Sequence, residues 1–162
     1  MKKLFHFSNV ELAQILEEMA AFWNMQKIDY KARAYELAAA DVKLYPQNII
    51  DVYEREGIHG LTQIPSVGPR IAKHIKELLT TGHFKEYEEF KRRIPVNLRE
   101  LLLLEGVGPR TIYELWLRLK VKNIKELEEV CRNGKVRRLP GFGMKSEAKI
   151  LQAIKIVQSN EE

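Results

Sequence analysis

Three short stretches join small residues to a basic one at a fixed distance: Ser66-Val67-Gly68-Pro69-Arg70, Gly106-Val107-Gly108-Pro109-Arg110 and Gly141-Phe142-Gly143-Met144-Lys145. Each reads small–apolar–Gly and then opens a fresh amphipathic helix. The chemistry that suits this pattern is anion binding. A helix N-terminus carries amides without an intrahelical partner and a partial positive charge, which together cradle phosphate. Proline at the first helical position costs no hydrogen bond and presets φ. Small residues at both ends of each tip are expected to take positive φ and to let the backbone approach another surface closely. Gly68, Arg70, Lys73, Gly106, Gly108, Arg110, Gly141, Gly143 and Lys145 are the candidate phosphate contacts. Val67, Val107 and Phe142 are expected to fold back as core plugs, and Lys135, Arg137, Arg138 and Lys149 add charge around the third tip.

Other chemistries find little support. His6, His59, His74 and His83 are scattered without ligand spacing, and Cys131 is alone, so neither a metal cluster nor an internal disulfide is expected. Asp29, Asp41 and Asp51 are the only aspartates and form no Asp-x-Asp pair. No P-loop or nucleophile elbow is present, and no catalytic residue is assigned. The formal charge of +5 over 162 residues favours a polyanionic partner. No apolar run approaches a membrane span, and the opening MKKLFHFSN lacks the apolar stretch of a secretory signal.

The elements that must position these residues read as helices throughout, about ten in all, which predicts an all-α fold. Ser8 and Glu11 form a capping-box pattern ahead of a stripe of Leu12, Ile15, Leu16 and Met19. An alanine-rich helix follows and stops before Pro46, and a short third helix is expected to end at Gly57. The chain then repeats itself at 61–79, 101–119 and 136–154, the second glycines lying about forty and thirty-five residues apart. Acidic–basic helices, HFKEYEEFKRRI and NIKELEEVCRNG, run between the copies. Pro95 interrupts a helical pattern, so two subdomains are expected, 1–95 and 96–162. Trp23 and Trp116 fall at core spacing and read as packing residues.

The tip and its two flanking helices resemble the helix-hairpin-helix motif. The resemblance implies contact with DNA phosphates that is independent of base sequence. It also implies a monovalent cation, sodium or potassium, on backbone carbonyls of Thr62, Ile64 and Val67, and of Leu102, Leu104 and Val107; no other cofactor is required. The segment YKARAYELAAADVKLYP followed by IPSVGPRIAKHIKELLTTG is further similar to the small N-terminal domain of family X DNA polymerases, the polymerase beta-like group. LLEGVGPRTIYELWLRLKVKNIKELEE resembles the fingers region that follows there, and RRLPGFGMKSEAKIL the fingers–palm junction. This likeness implies a role in DNA repair, while the lone Cys131 and the lack of a secretory or membrane signal fit a cytoplasmic setting, with the DNA. Its partner would be gapped or nicked duplex, with a repair enzyme or a polymerase palm domain alongside. It also implies a 5′-phosphate pocket from Lys31, Tyr35, Arg70 and His74. Two departures bear on enzymatic activity. The family's palm carboxylates have no counterpart here, and His74 occupies the position of the lysine that forms a Schiff base in the vertebrate-type deoxyribose-phosphate lyase. The competing readings are a lyase acting on abasic or deoxyribose-phosphate ends, and a protein-interaction module whose hairpins only pack helices.

Overall fold

The chain divides between Arg93 and Ile94 into two compact units, two residues ahead of the break expected at Pro95. The structure, a computed structural model, describes residues 3–161; the outermost residues of the two expected subdomains, 1–2 and 162, lie outside the described residues. Every regular element among the described residues is helical, nine α-helices and one 3-10 turn. None of these helices is long and apolar enough to cross a membrane.

The first unit holds α1 (Asn9–Met25), α2 (Asp29–Lys43), α3 (Ile49–Thr62), α4 (Pro69–Thr81) and α5 (Lys85–Arg93). Ser8 caps α1 by accepting the Glu11 amide at 3.1 Å, while its own hydroxyl donates to Glu11 Oε1 at 3.2 Å. The expected serine–glutamate pair therefore forms, with the glutamate on the serine hydroxyl rather than on its amide. Leu12, Ile15, Leu16 and Met19 are buried, together with Phe22 and Met25. They pack chiefly on α2, whose buried Ala32, Ala38 and Ala39 allow a close approach. The Asn9 side chain fixes the following loop, donating to Gln47 O at 2.8 Å and accepting from the Ile49 amide at 2.9 Å. Gly57 breaks α3 at φ 66°, as the sequence suggests, but one more helical turn follows it to Thr62.

Phe90 anchors α5 to α1, stacking on Phe22 at 4.9 Å and meeting Trp23 edge-on at 5.0 Å. Buried Glu18 accepts from the Tyr87 hydroxyl at 2.9 Å. Gly82 ends α4 in the left-handed region at φ 79°, and a Cβ there would lie 2.8 Å from Cδ1 of Phe5.

The second unit holds α6 (Leu98–Leu101), α7 (Pro109–Leu119), α8 (Ile124–Arg132), a 3-10 turn (Val136–Arg138) and α9 (Met144–Asn160). Asn97 and Asn123 cap α6 and α8. The Glu100 carboxylate accepts the Ile124 amide at 2.9 Å and so ties the two helix starts together. At the far end, Glu147 of α9 is 2% exposed and fully engaged by Arg137. Its Oε1 accepts from Arg137 Nε at 2.9 Å, and its Oε2 from the Arg137 amide at 2.9 Å. Burial alone would raise the Glu147 carboxyl, but the Arg137 hydrogen bonds and the Arg137 and Arg138 charges hold it below its ordinary value.

Two stability predictions follow from these contacts. Gly82→Ala is expected to cost about 1–2 kcal/mol from the left-handed backbone alone, plus the displacement of Phe5; urea unfolding reads it, and an unchanged midpoint contradicts it. Glu147→Gln is expected to cost about 1–3 kcal/mol at neutral pH by removing a charge-assisted pair. Because the folded carboxyl lies below its ordinary value, that contribution is complete above the unfolded carboxylate range and is lost as pH falls through the folded value. Unfolding curves of wild type and variant should therefore converge towards acid pH.

Candidate nucleic-acid interface

The three tips share one hydrogen-bonding scheme. In each, the apolar tip residue donates back three positions: Val67 to Ile64 O at 3.0 Å, Val107 to Leu104 O at 3.2 Å, and Phe142 to Leu139 O at 3.0 Å. In each, the second glycine is the N-cap and its carbonyl accepts the first helical bond, from Ala72 at 2.9 Å, Ile112 at 3.0 Å and Glu147 at 3.0 Å. This leaves the amides of Gly68, Arg70 and Ile71, and their equivalents at α7 and α9, without an intrahelical partner. Pro69 and Pro109 are the first residues of α4 and α7. Val67 and Val107 are buried as expected.

Positive φ occurs at one end of each tip, not at both. Ser66, Gly106 and Gly141 lie at φ 67°, 83° and 84°, whereas Gly68, Gly108 and Gly143 are extended at φ −82°, −90° and −149°. The reason is that the second glycine is an N-cap, and N-caps take β-region backbone. Neither φ nor internal packing demands glycine there, since an added Cβ at 68, 108 or 143 meets nothing within 4 Å. What glycine leaves at these caps is open backbone facing outward. Ser66 bears left-handed geometry without being glycine, and its hydroxyl donates to the Asp41 carboxylate of α2, fixing the tip.

The third copy departs from the expected form. Its lead-in is a 3-10 turn, and Phe142 is half-buried rather than a plug. Phe142 lines a cleft of about 560 Å³ between the second and third tips, opposite Val107, Arg110 and Thr111. Arg137 is committed to Glu147, so its charge is not part of an open phosphate site. Lys135, Arg138, Lys145 and Lys149 are exposed, as are Lys73 and Arg110.

In the first unit, three of the four expected pocket residues come together. Tyr35 of α2 lies with its ring centroid 6.4 Å from that of His74 on α4, and Arg70 stands one turn before His74. Phe84 stacks on His74 at 4.3 Å and holds the imidazole. Lys31 is one turn from Tyr35, but its ammonium lies over the Trp23 ring at 4.1 Å from the centroid.

Sequence reasoning missed the fifth member, Glu86 of α5. Its Oε2 is 3.7 Å from both Arg70 Nη2 and His74 Nε2. Nothing in the charge-rich string HFKEYEEFKRRI marks Glu86 except that it directly precedes buried Tyr87. Burial lowers the His74 pKa, with Arg70 adding to this and Glu86 and Glu77 opposing it, so the ring is neutral near pH 7. Burial also pushes the Tyr35 phenol up, helped by Glu86, so it remains a proton donor. The Tyr35 hydroxyl, His74 Nε2 and Glu86 Oε1 are buried without a hydrogen-bond partner. Three such atoms from three helices around one exposed arginine make a site ready for a polar ligand.

Residues 7–84 match the family described as Helix-hairpin-helix domain, and residues 98–155 that described as SAM-like Helix-hairpin-helix tandem. The DNA polymerase/3′-5′ exonuclease PolX of Bacillus subtilis (strain 168) is 30% identical over 145 residues, which is 89% of this chain and 24% of that protein. DNA polymerase lambda of Rattus norvegicus is 24% identical over 119 residues, 74% of this chain and 19% of the relative. The Holliday junction branch migration complex subunit RuvA of Pseudomonas savastanoi pv. phaseolicola (strain 1448A / Race 6) is 27% identical over 115 residues, 68% of this chain and 57% of the relative. The chain thus spans about a quarter or less of the two polymerases, and just over half of the third relative.

Proposed function

Because the chain carries a helix-hairpin-helix domain and a helix-hairpin-helix tandem, and is homologous to family X DNA polymerases over most of its length, we propose that it binds the DNA backbone without base specificity in repair. Its preferred form is gapped or nicked duplex with a recessed 5′-phosphate. The observation that carries the reading is the threefold recurrence of one turn: an outward-facing glycine N-cap, unpartnered amides behind it, and an exposed Arg70, Arg110 or Lys145. Amides and a helix N-terminus recognise phosphate and sugar, which position a protein on DNA but carry no sequence information.

In this mechanism the hairpins clamp the backbone while the first unit takes the terminal phosphate. Arg70 offers a charged fork to phosphate oxygens, and the Tyr35 hydroxyl donates one further hydrogen bond. Lys31 contributes charge from the neighbouring turn. A monovalent cation would be held by the carbonyls of Thr62, Ile64 and Val67 and of Leu102, Leu104 and Val107. The donor set fits such an ion, being neutral oxygens throughout; the Ile64 and Leu104 carbonyls each accept one amide and keep a second lone pair. Bound there, the ion would add positive charge beside the phosphate.

Arg70→Ala is expected to reduce the preference for a 5′-phosphorylated over a 5′-hydroxyl end by about tenfold, the equivalent of one charge-assisted hydrogen bond. Affinity for continuous duplex should fall much less. Fluorescence anisotropy on a short-gap DNA, with and without the downstream phosphate, reads both. Equal losses on the two ends would remove the pocket assignment and leave a general backbone binder.

A further inference from the structure

Among the groups gathered around Arg70, one is of the wrong sign for an anion. Glu86 lies 3.7 Å from the guanidinium and 3.7 Å from the His74 imidazole, on the same oxygen. It therefore occupies the place where a phosphate oxygen would meet Arg70. His74 is neutral near pH 7, so the charge that Arg70 offers at this point is opposed by that of Glu86. A phosphate dianion entering this space meets the full attraction of Arg70 only once the carboxylate gives way. The carboxylate is also a poor neighbour for it, because an ionised Glu accepts hydrogen bonds and offers none. Coulomb repulsion between the two anions is strengthened by the partial burial of the site.

The present arrangement is also incomplete as a structural cluster. Glu86 Oε1, His74 Nε2 and the Tyr35 hydroxyl remain without hydrogen-bond partners although all three are buried. Tyr35 is 3% exposed, so water reaches its hydroxyl poorly. At 3.7 Å both Glu86 contacts, the ion pair with Arg70 and the approach to the neutral His74 ring, are longer than hydrogen bonds. Glu86 thus holds Arg70 and His74 loosely and satisfies neither fully, which is the behaviour of a stand-in for a better anion.

We propose that Glu86 is a specificity-determining residue, an internal carboxylate that competes with the terminal phosphate of DNA for Arg70 and His74. The phosphate binds by displacing it, and the preference of the pocket for phosphorylated ends is set by the difference between the two anions. This rests on the reading of the pocket as a 5′-phosphate site. A carboxylate that merely oriented Arg70 would act in the opposite direction, since its loss would weaken phosphate recognition.

The test compares the wild type with Glu86→Gln, which keeps shape and removes charge. Glu88→Gln on the same helix serves as control: Glu88 pairs with Lys91 and gives the same change in net charge away from Arg70. Each protein is titrated by anisotropy against one short-gap duplex bearing either a 5′-phosphate or a 5′-hydroxyl, at pH 7.5 and constant salt. The readout is the ratio of the two affinities, in which general charge effects cancel. Glu86→Gln is expected to raise that ratio about five- to tenfold, and Glu88→Gln to leave it within twofold. A Glu86→Gln ratio equal to or below that of the wild type, while the wild type prefers the phosphate, overturns the competition and leaves the pocket standing. A ratio of one in the wild type and in both variants overturns the 5′-phosphate reading itself, and the competition with it. An equal rise in both variants also overturns the proposal, since it would make the effect one of net charge.

Discussion

The fold turns on the burial of a single valine at each of two tips. Val67 and Val107 drop into the core directly after a residue with positive φ, and each donates its amide back three positions. At both tips this apolar plug and closed turn are followed by a residue turned outward as an extended N-cap. The helix beyond then begins with its amides pointing away from the core. Any polar side chain at 67 or 107 would have to be buried without compensation or would leave the tip unanchored. The proposed anion-binding surface would then rest on the hydrophobic packing beneath it, with the exposed Arg70 and Arg110 beside the outward-facing amides.

Much of this was legible in the sequence because it is local. Small–apolar–Gly followed by Pro specifies a turn, a cap and a helix start within five residues, and the repetition excludes coincidence. Ser8 before Glu11 and the alanine stripe of α2 were readable for the same reason. The expectation of positive φ at both ends of the tip went too far, because the cap role of Gly68 and Gly108 fixes extended backbone while their openness to an outside surface is what distinguishes them. Phe142 followed the same pattern as Val67, but its lead-in contracts to a 3-10 turn and leaves the ring half-exposed over a cleft.

Two of the unread features are carboxylates whose meaning is tertiary. Glu86 and Glu147 stand in charge-rich helices among other acidic residues, and spacing alone does not separate them from Glu88 or Glu129. Their partners, Arg70 and Arg137, are sixteen and ten residues away and come close only through helix packing. Arg137 shows the cost of reading charge by proximity in sequence: it adds to the basic count around the third tip, yet its fork is held by Glu147. The first unit keeps its ionic cluster open, with buried atoms still lacking partners, while the second closes its own around a satisfied carboxylate.

Backbone recognition by repeated hairpins is tested most directly by the salt dependence of binding to gapped DNA. If two or three hairpins each neutralise about two phosphates, the log–log slope of affinity against salt should lie at roughly −3 to −5. It should hold for duplexes of unrelated base sequence. A slope near zero at measurable affinity, or affinities differing tenfold or more between sequences, would contradict a clamp built on outward-facing amides.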